Sequence, residues 1–182
     1  MKKLFPIALI LLLAACNSYP VANENDEVND TSSVKQQWNK YTIANKLTIK
    51  DGQLNAIYDH YSKLTKALVA ADIHLAKIES NAIEAGSQGL PGASALANFA
   101  ARITSASTIA QQRSAYSKLS SQLIILLKKS AVSKGSLYVD FCPMAFNDEG
   151  AYWVSEAKEI NNPYLGTDML TCGEIKETLS NN

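Results

Sequence analysis

The sequence has few sulfur-bearing and imidazole side chains, and it has no excess of charge of either sign. Its 182 residues include three cysteines, three methionines and two histidines, and the formal net charge is zero. A neutral chain gives no electrostatic reason to expect nucleic acid as a partner. The sequence also lacks a Ser-His-Asp arrangement, a phosphate-binding loop and a cofactor motif, so we do not expect an enzyme.

The apolar run near the start covers only residues 4–15, which is too short for a transmembrane helix. It follows two lysines and ends in Leu-Ala-Ala-Cys16, which resembles the lipobox of bacterial lipoproteins. In that class the chain is cut before the cysteine, which then carries acyl chains. We therefore predict a signal peptide over residues 1–15 and lipidation of Cys16. The mature protein would be membrane-anchored in the cell envelope, on the periplasm-facing outer membrane. A plain secretory cleavage site is the alternative.

Residues 16–37 are polar and acidic in their middle, which predicts a disordered tether. Residues 38–135 carry four apolar stripes at helical spacing. Asp51 and Asp72 are suitable N-caps for the first two helices, and Thr108–Gln111 fits a capping box at the start of the fourth. These stripes and their short links predict an all-α fold, an up-down four-helix bundle.

The pattern changes after the fourth stripe. Residues 137–141 (LYVDF) have the β-branched and aromatic side chains typical of a strand, and turn residues then recur every few positions. We predict that residues 136–177 form a mostly irregular, partly extended C-terminal cap of the same domain. Residues 178–182 would be a tail.

Apart from Met1 and Cys16, every cysteine and methionine of the chain lies in this cap: Cys142, Met144, Met169 and Cys172. Thiolates and thioethers select Cu(I) and related soft ions, because their polarisable sulfur suits a soft cation. One residue separates the first pair, and the second pair is three positions apart, so each pair can face one ion. The sequence therefore predicts a four-sulfur site for Cu(I) or Ag(I). Zinc is the weaker choice, because no Cys-x-x-Cys pair is present.

A disulfide between Cys142 and Cys172 is the alternative use of the same segment. Outside the cytoplasm two thiols can oxidise, and the bond would close a loop of about 30 residues and contribute about 3–4 kcal/mol. The methionines would then be ordinary core residues.

The remaining candidates have ordinary interpretations. His60 and His74 are expected about 10 Å apart along the bundle, too far to share an ion, at the boundary of their apolar stripes. Trp153 is expected to anchor the cap, with stacking over a bound Cu(I) as the alternative. Four carboxylates of the cap are expected to be solvated rather than catalytic: Asp148, Glu149, Glu156 and Glu159.

Four motifs of the cap resemble a family of domains of unknown function. They are Cys142-Pro-Met-Ala-Phe-Asn, Gly150-Ala-Tyr-Trp, Glu159-Ile-Asn-Asn-Pro-Tyr and Gly166-x-x-Met-Leu-x-Cys-Gly. Such domains occur in bacterial envelope lipoproteins and in periplasmic adaptor subunits of copper and silver efflux pumps. The resemblance covers about residues 54–177 and implies a helical bundle associated with heavy-metal handling, with an efflux adaptor or a metallochaperone as partner. Residues 141–144 are also similar to the motif Tyr-x-Cys-Pro-Met-His-Pro, but Ala145 replaces the histidine, so one ligand of that motif is missing.

Two functional hypotheses follow. In the first, a lipid-anchored envelope protein binds a soft metal ion through the four sulfurs and sequesters it or delivers it to efflux. In the second, a structural or partner-binding lipoprotein has its cap fixed by the disulfide and binds no metal.

Overall fold

The computed structural model describes residues 47–181, so the predicted signal peptide, the tether and Cys16 lie outside the described residues. None of the described helices is both long and apolar enough to cross a membrane. The elements in chain order are β1 (Thr48–Ile49), α1 (Gly52–Val69), α2 (Ile73–Gly86), α3 (Ser94–Ser105), α4 (Ile109–Ser130), β2 (Val132–Lys134), β3 (Ser136–Cys142), the short turn α5 (Ala145–Asp148), β4 (Ala151–Ser155), the 3-10 helix η1 (Gly166–Met169) and β5 (Glu174–Ser180).

The four long helices form the predicted bundle, in which successive helices pack together and α1 also contacts α4. The predicted caps are present. The carboxylates of Asp51 and Asp72 each accept from the N–H three residues later at 2.9 Å, and Thr108–Gln111 forms the capping box. Ala71 has a φ of 55°, which ends α1 and separates it from α2.

The fold is not all-α, so the predicted class was wrong in that respect. β1 pairs antiparallel with β2, and β4, β3 and β5 form a three-stranded antiparallel sheet in that order. The cap, which was expected to be mostly irregular, is thus built on a sheet. β5 runs to Ser180, past the expected boundary at residue 177. This strand lies exposed at the edge of the sheet, so its sequence EIKETLS does not alternate between apolar and polar residues. The pattern that predicts a strand from sequence is therefore missing here.

Two tyrosine hydroxyls cover the outer edge of β4, one from the bundle and one from the loop before η1. Tyr61 of α1 accepts from the Val154 N–H at 3.1 Å, and Tyr164 donates to the Tyr152 carbonyl. Tyr116 of α4 donates in turn to Tyr61 at 2.8 Å. These bonds satisfy main-chain groups that an edge strand leaves unpaired, so they fix the sheet against the helices.

Candidate metal site

The sheet brings the two cysteines of the cap together. Cys142 is the last residue of β3, where it pairs with Ala151 of β4, and its side chain is fully buried. Cys172 lies just before β5, whose Glu174 pairs with Phe141 of β3. This antiparallel register places the two Sγ atoms 3.2 Å apart, although 30 positions separate the residues. Both are free thiols in the structure.

The two methionines lie close to the cysteines along the chain, Met144 two residues after Cys142 and Met169 three residues before Cys172. The Cys172 N–H closes a turn by donating to the Met169 carbonyl at 3.1 Å. Their side chains are 47% and 43% exposed, so neither is an ordinary core residue. The structure therefore brings the two thiols into contact and leaves both methionines about half exposed.

The Cys172 thiol is held in its protonated form. Its hydrogen bond with Cys142 is the largest cause that raises its pKa, followed by desolvation and by the charge of Cys142, while the Met144 N–H acts in the opposite direction. A metal ion must displace this proton in order to bind the sulfur, so binding would be coupled to proton release.

No other group of donors replaces the thioethers in residues 47–181. This part of the chain contains no cluster of three or more histidine, cysteine or acidic side chains that could hold a metal ion. His60 bonds instead to Glu79 of α2, with Nδ1 and Oε2 2.7 Å apart. The four predicted carboxylates of the cap are exposed, as expected. A four-coordinate site at the thiols would therefore have to use other donors, and Met144 and Met169 are the predicted ones.

The chain around the first cysteine contains an unusual left-handed turn. Phe146, Asn147 and Asp148 have φ values of 56°, 56° and 68°. Asn and Asp adopt this region more readily than other residues, but a bulky Phe there is an outlier. Backbone strain of this kind persists only where the surrounding structure imposes it, and it is concentrated at functional sites. The strain here lies directly after the segment that carries Met144.

Asn162 fixes the loop that carries the second cysteine, and the sequence did not single it out. Its side chain is fully buried, donates to the Cys172 carbonyl at 2.7 Å and accepts from the N–H groups of Tyr164 and Leu165. Its own N–H donates to the Leu170 carbonyl at 2.8 Å. The only sequence signal was its place in Asn-Asn-Pro, which predicts a turn but no partner.

Trp153 is fully buried between the sheet and the bundle. Its ring packs edge-on against Tyr164, with the centroids 5.9 Å apart. The far edge of the ring packs against Gly173, so closely that a Cβ on this glycine would clash with it. The indole therefore anchors the cap as expected and touches the residue that follows Cys172. Stacking over a bound ion stays a prediction.

Gly173 supplies a backbone conformation that other residues avoid, and we predict that Gly173→Ala is destabilising by at least about 1 kcal/mol. Its φ is 146°, and a Cβ would lie 2.8 Å from the Trp153 ring and 3.2 Å from the Phe141 carbonyl oxygen. Gly52→Ala is the matched control, because a Cβ at that helical position meets nothing within 4 Å. It should be neutral or slightly stabilising. Denaturant unfolding of both variants measures the difference, and equal stabilities would contradict the packing described.

Asp140 is a further buried polar residue that the sequence analysis missed. Its side chain is fully buried in the middle of β3, and burial raises its pKa to about 6, with the nearby Ser155 hydroxyl acting in the opposite direction. That hydroxyl donates to the Ala157 carbonyl, and neither Asp140 oxygen has a well-aligned hydrogen bond within residues 47–181. The sequence signal was available, since a charged residue interrupts the apolar strand LYVDF.

A cleft of about 440 Å³ opens between α1 and the segment after β4. Trp153 and Ser155 line it from the sheet, Thr65 and Lys66 line it from α1, and Glu156 lies at its border. None of the four sulfur-bearing residues lines this cleft. The candidate metal site is therefore a separate feature on the other side of Trp153, next to Gly173.

Among known families, a match falls on the helical part of the chain. The family described as protein of unknown function (DUF3347) matches residues 57–135, from within α1 to the turn before β3. This agrees with the predicted similarity to a family of unknown function over the bundle. The resemblance was expected to reach residue 177, and the segment with the four sulfurs lies outside the match. No curated protein and no solved structure matches the chain.

Proposed function

We propose that the chain is a lipid-anchored cell-envelope protein that binds a soft metal ion, Cu(I) or Ag(I). Cys142, Met144, Met169 and Cys172 are the proposed ligands. The protein would sequester the ion or deliver it to an efflux system, through an efflux adaptor or a metallochaperone as partner. The anchor is proposed at Cys16 from its lipobox-like motif, on the periplasm-facing outer membrane.

One observation carries this proposal: the two thiols are 3.2 Å apart, and each cysteine has a half-exposed methionine within three residues along the chain. Two thiolates and two thioethers form a donor set that suits a soft, singly charged cation and that is poor for zinc or for hard ions. The exposure of the thioethers also favours this use, because an apolar side chain gains nothing from facing water. The ion would enter from the side of the methionines.

Titration of the purified full chain, kept reduced, with Cu(I) or Ag(I) tests the proposal. We expect one ion per chain, and we expect Met144→Leu and Met169→Leu each to weaken binding at least about tenfold. These two variants are informative because both side chains are about half exposed, so the fold should tolerate them.

Ile125→Met is the matched control for the two leucine variants. Ile125 lies on α4 and is 46% exposed, so this change adds a thioether of similar exposure away from the thiols. Its affinity should equal that of the unchanged chain. Cys142→Ser should abolish tight binding. Unchanged affinity in Met169→Leu and Cys142→Ser would contradict the proposed ligand set.

The second candidate is a structural or partner-binding lipoprotein whose cap is fixed by a Cys142–Cys172 disulfide. The direct contact of the two sulfurs favours it, since no ion is needed to bring them together. Mass spectrometry of the non-reduced protein from the envelope distinguishes the candidates. A complete disulfide, with no metal bound after isolation, would favour the second candidate.

A further inference from the structure

The distance between the thiols of Cys142 and Cys172 is intermediate between the distances expected for a disulfide and for two thiolates on one metal ion. Their Sγ atoms are 3.2 Å apart. A disulfide needs about 2.05 Å. Two thiolates on one tetrahedral ion, with metal–sulfur bonds of about 2.3 Å, lie about 3.8 Å apart. Either state is therefore reached by a side-chain movement of about 1 Å, which leaves the strands in register.

The two thiols differ in how far a reagent can reach them. Cys142 is fully buried at the end of β3, whereas Cys172 is partly exposed just before β5. An external disulfide can therefore react only with Cys172 first. Cys142 lies directly behind it, in the position of a resolving thiol.

The surrounding main chain is fixed, so the change would stay local. Asn162 holds the Cys172 carbonyl, and Glu174 pairs with Phe141 across the sheet. Neither interaction involves the sulfur atoms. The exposed thioethers of Met144 and Met169 take no part in thiol–disulfide exchange, so oxidation would remove two of the four proposed ligands and leave the others in place.

We propose that Cys142 and Cys172 form a reversible thiol–disulfide switch that releases the soft metal ion when the pair is oxidised; this rests on the proposed metal binding. The oxidant is an external disulfide, either of a small thiol or of another protein. Cys172 first loses its proton; its thiolate then attacks one of the sulfurs of that disulfide, and the first external thiolate leaves. The Cys142 thiolate then attacks Cys172 Sγ, and the second external thiolate leaves. Two electrons pass to the external disulfide, and the two protons of the pair pass to the departing thiolates.

The test uses the reduced full chain, glutathione buffers with an increasing oxidised fraction, and Ag(I) as the probe. After alkylation and digestion, mass spectrometry identifies the partner of each cysteine. Ag(I) affinity is measured on the fully reduced and fully oxidised chain after glutathione has been removed. We expect a complete Cys142–Cys172 disulfide that dithiothreitol reverses, and Ag(I) binding at least about tenfold weaker in the oxidised chain. Chain saturated with Ag(I) before exposure should resist oxidation.

Met169→Leu is the matched control, because it should weaken Ag(I) binding and leave the oxidised fraction unchanged at every glutathione ratio. If the pair stays reduced, or if the reaction stops at glutathione on Cys172, the switch is overturned while Ag(I) binding by the reduced chain still supports the proposed function. If the disulfide forms but the reduced chain does not bind Ag(I), the proposed function and the switch both fail.

Discussion

Replacing Trp153 by alanine is expected to lower the free energy of unfolding by about 3–5 kcal/mol. The indole is fully buried and lies edge-on against Tyr164. Its removal leaves a cavity that cannot close by a shift of β4, because the Tyr61 hydroxyl fastens that strand to α1 and the Tyr164 hydroxyl fastens it to the loop before η1. Large cavities that stay open are the costliest result of a core truncation. Denaturant unfolding of the full chain measures the loss.

Trp153→Phe is the control, because a phenyl ring fills part of the same space and should cost less than the alanine. It also separates the two roles considered for this residue. If Trp153 only anchors the cap, the phenylalanine variant keeps the Ag(I) affinity of the unchanged chain. If the alanine variant loses less than about 1 kcal/mol of its free energy of unfolding, the anchoring role is contradicted, since substitutions on the protein surface have effects of about this size or smaller.

Local signals were enough to predict the bundle. The caps at Asp51 and Asp72 and the capping box at Thr108 use contacts within a few residues, and the apolar stripes repeat within each helix. The sheets depend on contacts between distant parts of the chain. β3 meets β5 across more than 30 positions, and β1 meets β2 across the whole bundle. The exposed strand β5 has no apolar face, so no period in its sequence marked it.

The candidate site likewise combines features that the sequence could predict with features that depend on distant contacts. The sequence singled out the four sulfur-bearing residues because they cluster along the chain. Both hypotheses required Cys142 to meet Cys172, but this meeting depends on the register of β3 with β5, which the sequence does not show. Asn162 was missed because its bonds to Cys172 and Leu170 exist only in the folded loop. Asp140 was missed although its charge within an apolar strand was visible.

Asp140 lowers the stability of the fold at neutral pH, and its replacement by asparagine is expected to raise it. The pKa of the carboxyl is raised from the usual 3.8 to about 6, chiefly by burial. Between these values the folded state keeps a proton that the unfolded state has lost, so stability should fall as the pH rises from about 4 to about 6. The displacement corresponds to about 3 kcal/mol.

Asp140→Asn removes the charge and keeps the shape, so at pH 7.5 it should stabilise the chain by about 2–3 kcal/mol and below pH 4 it should have little effect. Unfolding measured across this range tests both parts of the expectation. Asp148→Asn is the matched control, since Asp148 is exposed and asparagine also accepts its left-handed backbone, and its effect should stay within about 0.5 kcal/mol at every pH. A gain for Asp140→Asn that is equal at pH 4 and pH 7.5 would show that the buried charge is not its cause. If the variant is less stable than the unchanged chain at pH 7.5, the carboxylate has a partner whose interaction offsets the free-energy cost of its burial.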